Sequence, residues 1–156
     1  MSSKIDQRAF RDALGQFATG VTIVTTLDAS GEAVGMTVSS FNSVSLNPPL
    51  VLWSIDRSSH SFETFMHADR YVVHVLNQAQ KELCMTFATP GADKFSAAEF
   101  ELSAHNIPML TSYLARFECK TAHQYDGGDH VILVGEVELF DVQGGDPLIF
   151  HRGDLK

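Results

Sequence analysis

Two short clusters hold residues whose types could build a ligand site. In Arg57-Ser58-Ser59-His60-Ser61, three serines and a guanidinium stand where a strand gives way to a helix. Serine hydroxyls and the free N–H groups of a helix start attract anions, and arginine adds a planar donor fork. In Met36-Thr37-Val38-Ser39-Ser40, strand alternation puts Met36, Val38 and Ser40 on one face and Thr37, Ser39 and Phe41 on the other. Short hydroxyl side chains let a flat ring approach the backbone, whose N–H groups can meet acceptors on its edge. Together the clusters suit a planar, phosphorylated ligand. A capped helix and a solvent-facing strand explain the same residues without one.

A third group follows the Gly127-Gly128 turn, where Asp129 precedes His130. Read alone it is a hairpin with an exposed histidine. His60, His67 and His74 recur every seven residues but fall on a loop, a helix and a strand. With no H-x-x-x-H or H-E-x-x-H, no metal site is expected. Gly15 to Thr22 has P-loop spacing but Val21 where lysine must reach phosphates. The chain also lacks G-x-G-x-x-G and G-x-S-x-G, which excludes a Rossmann dehydrogenase and an elbow-type serine hydrolase.

These groups depend on the elements around them. Phe10, Ala13, Leu14 and Phe17 predict an amphipathic helix over 6–18. Strands are expected from Val21 to Leu27, up to about Ser40 after the Asp28–Gly31 turn, and from Leu50 to Asp56 beyond Asn47-Pro48-Pro49. The last is continuously apolar, which predicts cover on both faces. A helix over 61–67, a strand over 71–76 and a helix over 79–88 follow, stopped by Pro90-Gly91. Residues 93–112 read as irregular, with a short helix near Ala97. Strands over 113–123 and 131–142 close the pattern, and Gly135 within the second marks a bulge or corner. The sum is mainly β with a few helices: an antiparallel, closed or nearly closed barrel of about six strands.

The 156 residues make one domain's length of chain, 44% hydrophobic and 19% charged, with formal charge −8. No basic footprint exists for nucleic acid, and no apolar run nears the roughly 20 residues of a membrane helix. Any phosphate site must be local. The polar start is unlike a signal peptide, so a cytoplasmic location is expected. Cys84 and Cys119 form no C-x-x-C pair and read as small core residues.

The run from Gly35 to Phe62, together with Gly128-Asp129-His130-Val131, Val134-Gly135-Glu136-Val137 and Pro147 to Gly153, resembles the flavin reductase-like family. These are NAD(P)H:flavin oxidoreductases that often feed two-component monooxygenases. The resemblance implies an FMN-binding split barrel, a single domain over 1–156, and a homodimer. It implies FMN or FAD as cofactor and NADH or NADPH as co-substrate, with hydride passing from nicotinamide C4 to flavin N5. That step needs alignment rather than a catalytic side chain. Flavin contacts would fall at Met36, Thr37, Val38, Ser39, Ser40, Trp53, Ser54, Arg57, Ser59, His60, Ser61, Lys94 and Phe95. Nicotinamide contacts would fall at His130, His151 and Arg152. The family's tail commonly carries an aromatic residue where this chain has Leu155. Two other readings are a flavin-binding module without turnover and a cofactor-free barrel that binds partners.

Overall fold

The computed structural model describes residues 4–156. Helix α1 spans Gln7–Leu14, capped by Asp6, whose carboxylate accepts the N–H groups of Arg8 and Ala9. It is shorter than expected because the Gln16 and Phe17 N–H groups turn back onto the Ala13 and Leu14 carbonyls. Its apolar stripe lies outside the core: Phe10, Leu14 and Phe17 are 52%, 58% and 76% exposed.

A seven-stranded antiparallel sheet forms the body. In chain order its strands are β2 (Thr22–Leu27), β3 (Ala33–Val38), β4 (Asn42–Leu46), β5 (Pro49–Asp56), β6 (Arg70–Val75), β9 (Ala115–Gly127) and β10 (His130–Val142). They are ordered β3-β2-β6-β9-β10-β5-β4. The expected antiparallel, mainly β architecture is present, but the sheet is open and has seven strands rather than six. The additional strand is β4, whose Ser43-Val44-Ser45-Leu46 alternation covers only two periods before the turn. It pairs with β5 through a turn at the cis Asn47–Pro48 bond.

The sheet curls until the end of β3 approaches β5. There the Ser40 hydroxyl accepts the Ser54 N–H (2.9 Å) and donates to the Ser54 carbonyl (3.2 Å). A side chain thus spans the gap that a ladder would close in a full barrel.

Val24, Val38, Val51, Trp53, Ile55 and Leu133 fill the interior with Phe65 and Tyr71. Only one face of β5 is wholly buried. Val51, Trp53 and Ile55 point inward, whereas Leu50, Leu52 and Ser54 are half-buried. The expectation of cover on both faces therefore fails. The bulge expected at Gly135 is present, with a register shift between Val134 and Gly135. Glycine is required there, because a Cβ would collide with the Tyr71 hydroxyl.

Helix α2 (Phe62–His67) follows β5, and α3 (Lys81–Phe87) follows a 3-10 turn at Gln78–Gln80. A second apolar cluster, including Val21, Leu76, Cys84, Phe87 and Leu110, lies beneath α3. Residues 93–112 hold no helix near Ala97. They instead form a hairpin of β7 (Phe100–Leu102) and β8 (Pro108–Leu110), strands too short to leave a readable period. At the carboxyl end β11 (Ile149–His151) pairs with β1 (Thr19–Gly20) and β12 (Asp154–Leu155). Both cysteines are free and buried. Among the described residues, no helix is long and apolar enough to cross a membrane.

Candidate functional site

Strand β3 is an edge of the sheet, and α3 packs against it. The approach is close because residue 35 is glycine: a Cβ there would lie 2.7 Å from the Phe87 ring. Thr37 fixes the contact by donating its hydroxyl to the Cys84 carbonyl at 2.7 Å. Lys94 reaches back from the loop after α3 and donates to the Gly35 carbonyl at 2.8 Å.

Between these elements and the loop before α2 lies a cavity of about 390 Å³. Met36 and Thr37 supply one wall and Ser58, Ser59, His60 and Ser61 another. Phe87, Ala88, Pro90 and Lys94 complete it. A neighbouring cavity of about 310 Å³ shares Ser61 and Lys94, and adds Gly35 and Phe95. Six of the residues expected at a flavin site, Met36, Thr37, Ser59, His60, Ser61 and Lys94, therefore meet at one place from three separate stretches of chain.

The donors there suit an anion. Ser61 precedes α2 but makes no side-chain cap bond. The Ser59 oxygen accepts the Ser61 N–H at 3.2 Å, leaving its own O–H to donate. Burial holds the Lys94 ammonium below the ordinary lysine value, because desolvation disfavours its charge. An anion within reach would offset that cost. The apolar remainder, Met36, Phe87 and Pro90, suits a ring system. The residues present fit a phosphorylated flavin in both donor chemistry and wall composition.

Other expected residues lie elsewhere. Trp53 is fully buried, its ring set edge-on against Phe65 and Tyr71 at centroid distances of 4.9 and 5.7 Å. Val38 is buried in the same core. Ser54 is joined to Ser40 across the gap. Arg57 turns from the serine loop to the β9–β10 hairpin, donating to Asp126 at 2.6 Å and to the Gly128 carbonyl at 2.8 Å. That contact holds the Asp126 carboxyl below its usual range. Asp56 is also lowered, first by the N–H and hydroxyl of Ser58 and then by the charge of His130.

His130 opens β10 opposite Asp56, its Nδ1 lying 2.8 Å from Asp129 Oδ1. It stands beside the start of the serine loop, joined through the Arg57 N–H to the Asp129 carbonyl, and does not line the cavity. Ser39 and Arg152 line a different cavity, of about 710 Å³, between α1 and the β11–β12 turn. His151 belongs to β11.

Sequence reasoning missed Phe87, Ala88 and Pro90. Their only signal is the Pro90-Gly91 break, which returns the chain towards Lys94.

An open antiparallel barrel with these residues at its gap defines a split-barrel protein of the flavin-binding kind. The flavin reductase-like domain model matches residues 14–156. An FMN reductase (NADH) from Agrobacterium fabrum is 45% identical over 148 residues, covering 95% of this chain and 84% of that protein. The reductase subunit of a flavin-dependent monooxygenase from Mycobacterium tuberculosis is 39% identical, with coverages of 99% and 83%. The Streptomyces globisporus NADH:FAD oxidoreductase, solved with NAD and FAD fragments, superposes with a TM-score of 0.91 at 31% identity, covering 99% and 96%. The chain spans 48% of the length of a further relative, from Rhizobium meliloti, to which it is 43% identical. This chain belongs to the flavin reductase-like family.

Proposed function

We propose that residues 1–156 act as one NAD(P)H-dependent flavin reductase unit that delivers reduced FMN or FAD to a separate monooxygenase. The carrying observation is the convergence of Met36, Thr37, the serine loop and Lys94 on one cavity at the edge of β3. Ser59, Ser61 and Lys94 bind the flavin phosphate, and Thr37 with the β3 backbone supports the ring. A flavin held there would supply the acceptor for hydride from the pyridine nucleotide. The protein's part would be to align the two rings at contact distance and exclude water between them. His130, His151 and Arg152 serve the pyridine nucleotide. The monooxygenase reductase subunit among the relatives supports the role of a supplier of reduced flavin.

The working form is a homodimer. The exposed stripe of Phe10, Leu14 and Phe17 supports this, as do exposed Leu139, Phe140 and Val142 on β10, because patches of that kind mark contact surfaces. The cytoplasm suits a protein with two unpaired buried thiols.

The phosphate assignment is tested by replacing Ser59 and Ser61 with alanine together. FMN affinity should fall about tenfold or more, the effect of losing a charge-assisted hydrogen bond worth about 1.5–3 kcal/mol. Riboflavin, which lacks the phosphate, should bind almost as before. Equal losses for both ligands would remove the serine loop from the phosphate site.

A further inference from the structure

Ladder pairing between β5 and β10 ends at Asp56 and His130. Beyond that pair β5 runs out into the serine loop, and β10 is entered from the turn at 126–129, so loop and turn lie side by side. One residue joins them. The Arg57 N–H donates to the Asp129 carbonyl at 3.0 Å, its Nε to the Gly128 carbonyl at 2.8 Å and its Nη2 to Asp126 Oδ1 at 2.6 Å. Asp126 Oδ1 also accepts the Gly128 N–H at 3.2 Å, which sets the turn that Arg57 grips. Among the described residues, the three bonds from Arg57 are the only hydrogen bonds between 57–61 and 126–129.

Ser58, Ser59, His60 and Ser61 line the cavity assigned to the flavin phosphate, whereas Arg57 does not. Its guanidinium is directed instead to the turn that carries Asp129 and His130. The ion pair adds little to stability, because its two side chains are 45% and 81% exposed. What the fork supplies is geometry: donors fixed in one rigid plane hold loop and turn at a single spacing. Asp56 completes the junction. Its carboxylate accepts the Ser58 N–H and hydroxyl, each at 2.8 Å, and it stands opposite His130 in the ladder. Residues 56–58 and 122–129 are all exposed, so little else restrains either segment. A ligand that orders one of them therefore orders the other through Arg57, and a second ligand meets a segment already in place.

We propose that Arg57 is a positioning residue that couples the two binding steps. Flavin phosphate on the serine loop tightens the hold of His130 on the pyridine nucleotide, and the nucleotide tightens flavin in return. The inference rests on the reductase reading and on His130 serving the nucleotide. Because the coupling is a binding free energy, it has the same size in both directions. It also depends on the phosphate. Riboflavin offers its ring to the nucleotide but nothing to the serine loop. It therefore carries any coupling that comes from ring stacking, and none of the part that passes through Arg57.

The test is calorimetric titration of the native chain and of Arg57→Gln with FMN and with riboflavin. Each titration is run without and with saturating tetrahydro-NADH, an analogue that cannot give up a hydride. In the native chain the analogue should tighten FMN about fivefold more than it tightens riboflavin, the low end of ordinary coupling between sites. In Arg57→Gln the two factors should be equal, at a melting temperature close to the native one. Hydrogen exchange over residues 126–130 should slow when FMN binds the native chain and stay unchanged when it binds the variant. Should Arg57→Gln fail to fold, Asp126→Ala removes the same ion pair from the turn and is read in the same way. Equal factors in the native chain, an FMN excess that the variant retains, or a native turn whose exchange FMN leaves unchanged overturns the inference and leaves the reductase reading standing. A native chain that binds neither flavin nor the analogue contradicts the reductase reading itself.

Discussion

His130 shows how much one side chain's position depends on its neighbours. The Gly127-Gly128 turn frees it from bulky flanks, and Asp129 holds its Nδ1. In the proposed reading, Nε2 is the ring nitrogen left to meet the nicotinamide amide or a phosphate. His130→Ala should raise KM for the pyridine nucleotide and lower kcat/KM by about one to two decades. Flavin affinity should hardly change. A variant that loses flavin but turns over normally when flavin is saturating would place His130 on the wrong ligand. In the sequence alone the Gly-Gly turn marked only a hairpin with an exposed histidine, and the family resemblance singled His130 out. The contact made by Arg57 was not legible: its type and spacing suggested a phosphate donor, whereas its guanidinium ties the serine loop to Asp126 and Gly128 across 69 and 71 residues. Pairings at that separation leave no trace in neighbouring residues.

At the scale of elements, the long strands were legible and the short ones were not. β2, β5, β6, β9 and β10 carry apolar runs or alternation, and each appears close to where its pattern predicts. β4 is hydroxyl-rich, and β7 and β8 have three residues each, below the length at which a period of two can be recognised. The packing of β6 rests on His74, which is fully buried with Nδ1 donating to the Ile23 carbonyl at 2.8 Å. Its Nε2 accepts the Leu110 N–H at 3.1 Å, which requires the neutral ring. Burial accordingly lowers its pKa to about 3 from the ordinary 6.5. Between those values the unfolded chain binds a proton that the folded chain refuses. The His74 contribution is therefore complete above pH about 6.5, and stability falls by up to about 1.4 kcal/mol per pH unit below it. Denaturant titrations at pH 7 and pH 5 should differ by about 2 kcal/mol from this residue alone. Substituting the exposed His67 should leave the difference intact. Equal stability at the two pH values would contradict a neutral, buried His74.

For the whole molecule, sequence pattern reached an antiparallel barrel but not its opening, because closure is decided by how far a twisted sheet curls. Ser40 bridging to Ser54 records where that curl stops short of a ladder. The exposed apolar stripe on α1 was likewise invisible, since helical spacing reports amphipathicity and not what covers the apolar side. If a second copy covers it, light scattering at micromolar concentration should give twice the 17.1 kDa chain mass, and a monomer would count against the dimer. The central claim is electron transfer from pyridine nucleotide to flavin, and steady-state oxidation of NADH and NADPH by the purified protein tests it most directly. Each nucleotide should be assayed alone and with added FMN, FAD or riboflavin. The account predicts slow oxidation without flavin and saturable acceleration when FMN or FAD is supplied. Tight flavin binding with no acceleration for either nucleotide would contradict it and leave a flavin-binding protein without turnover.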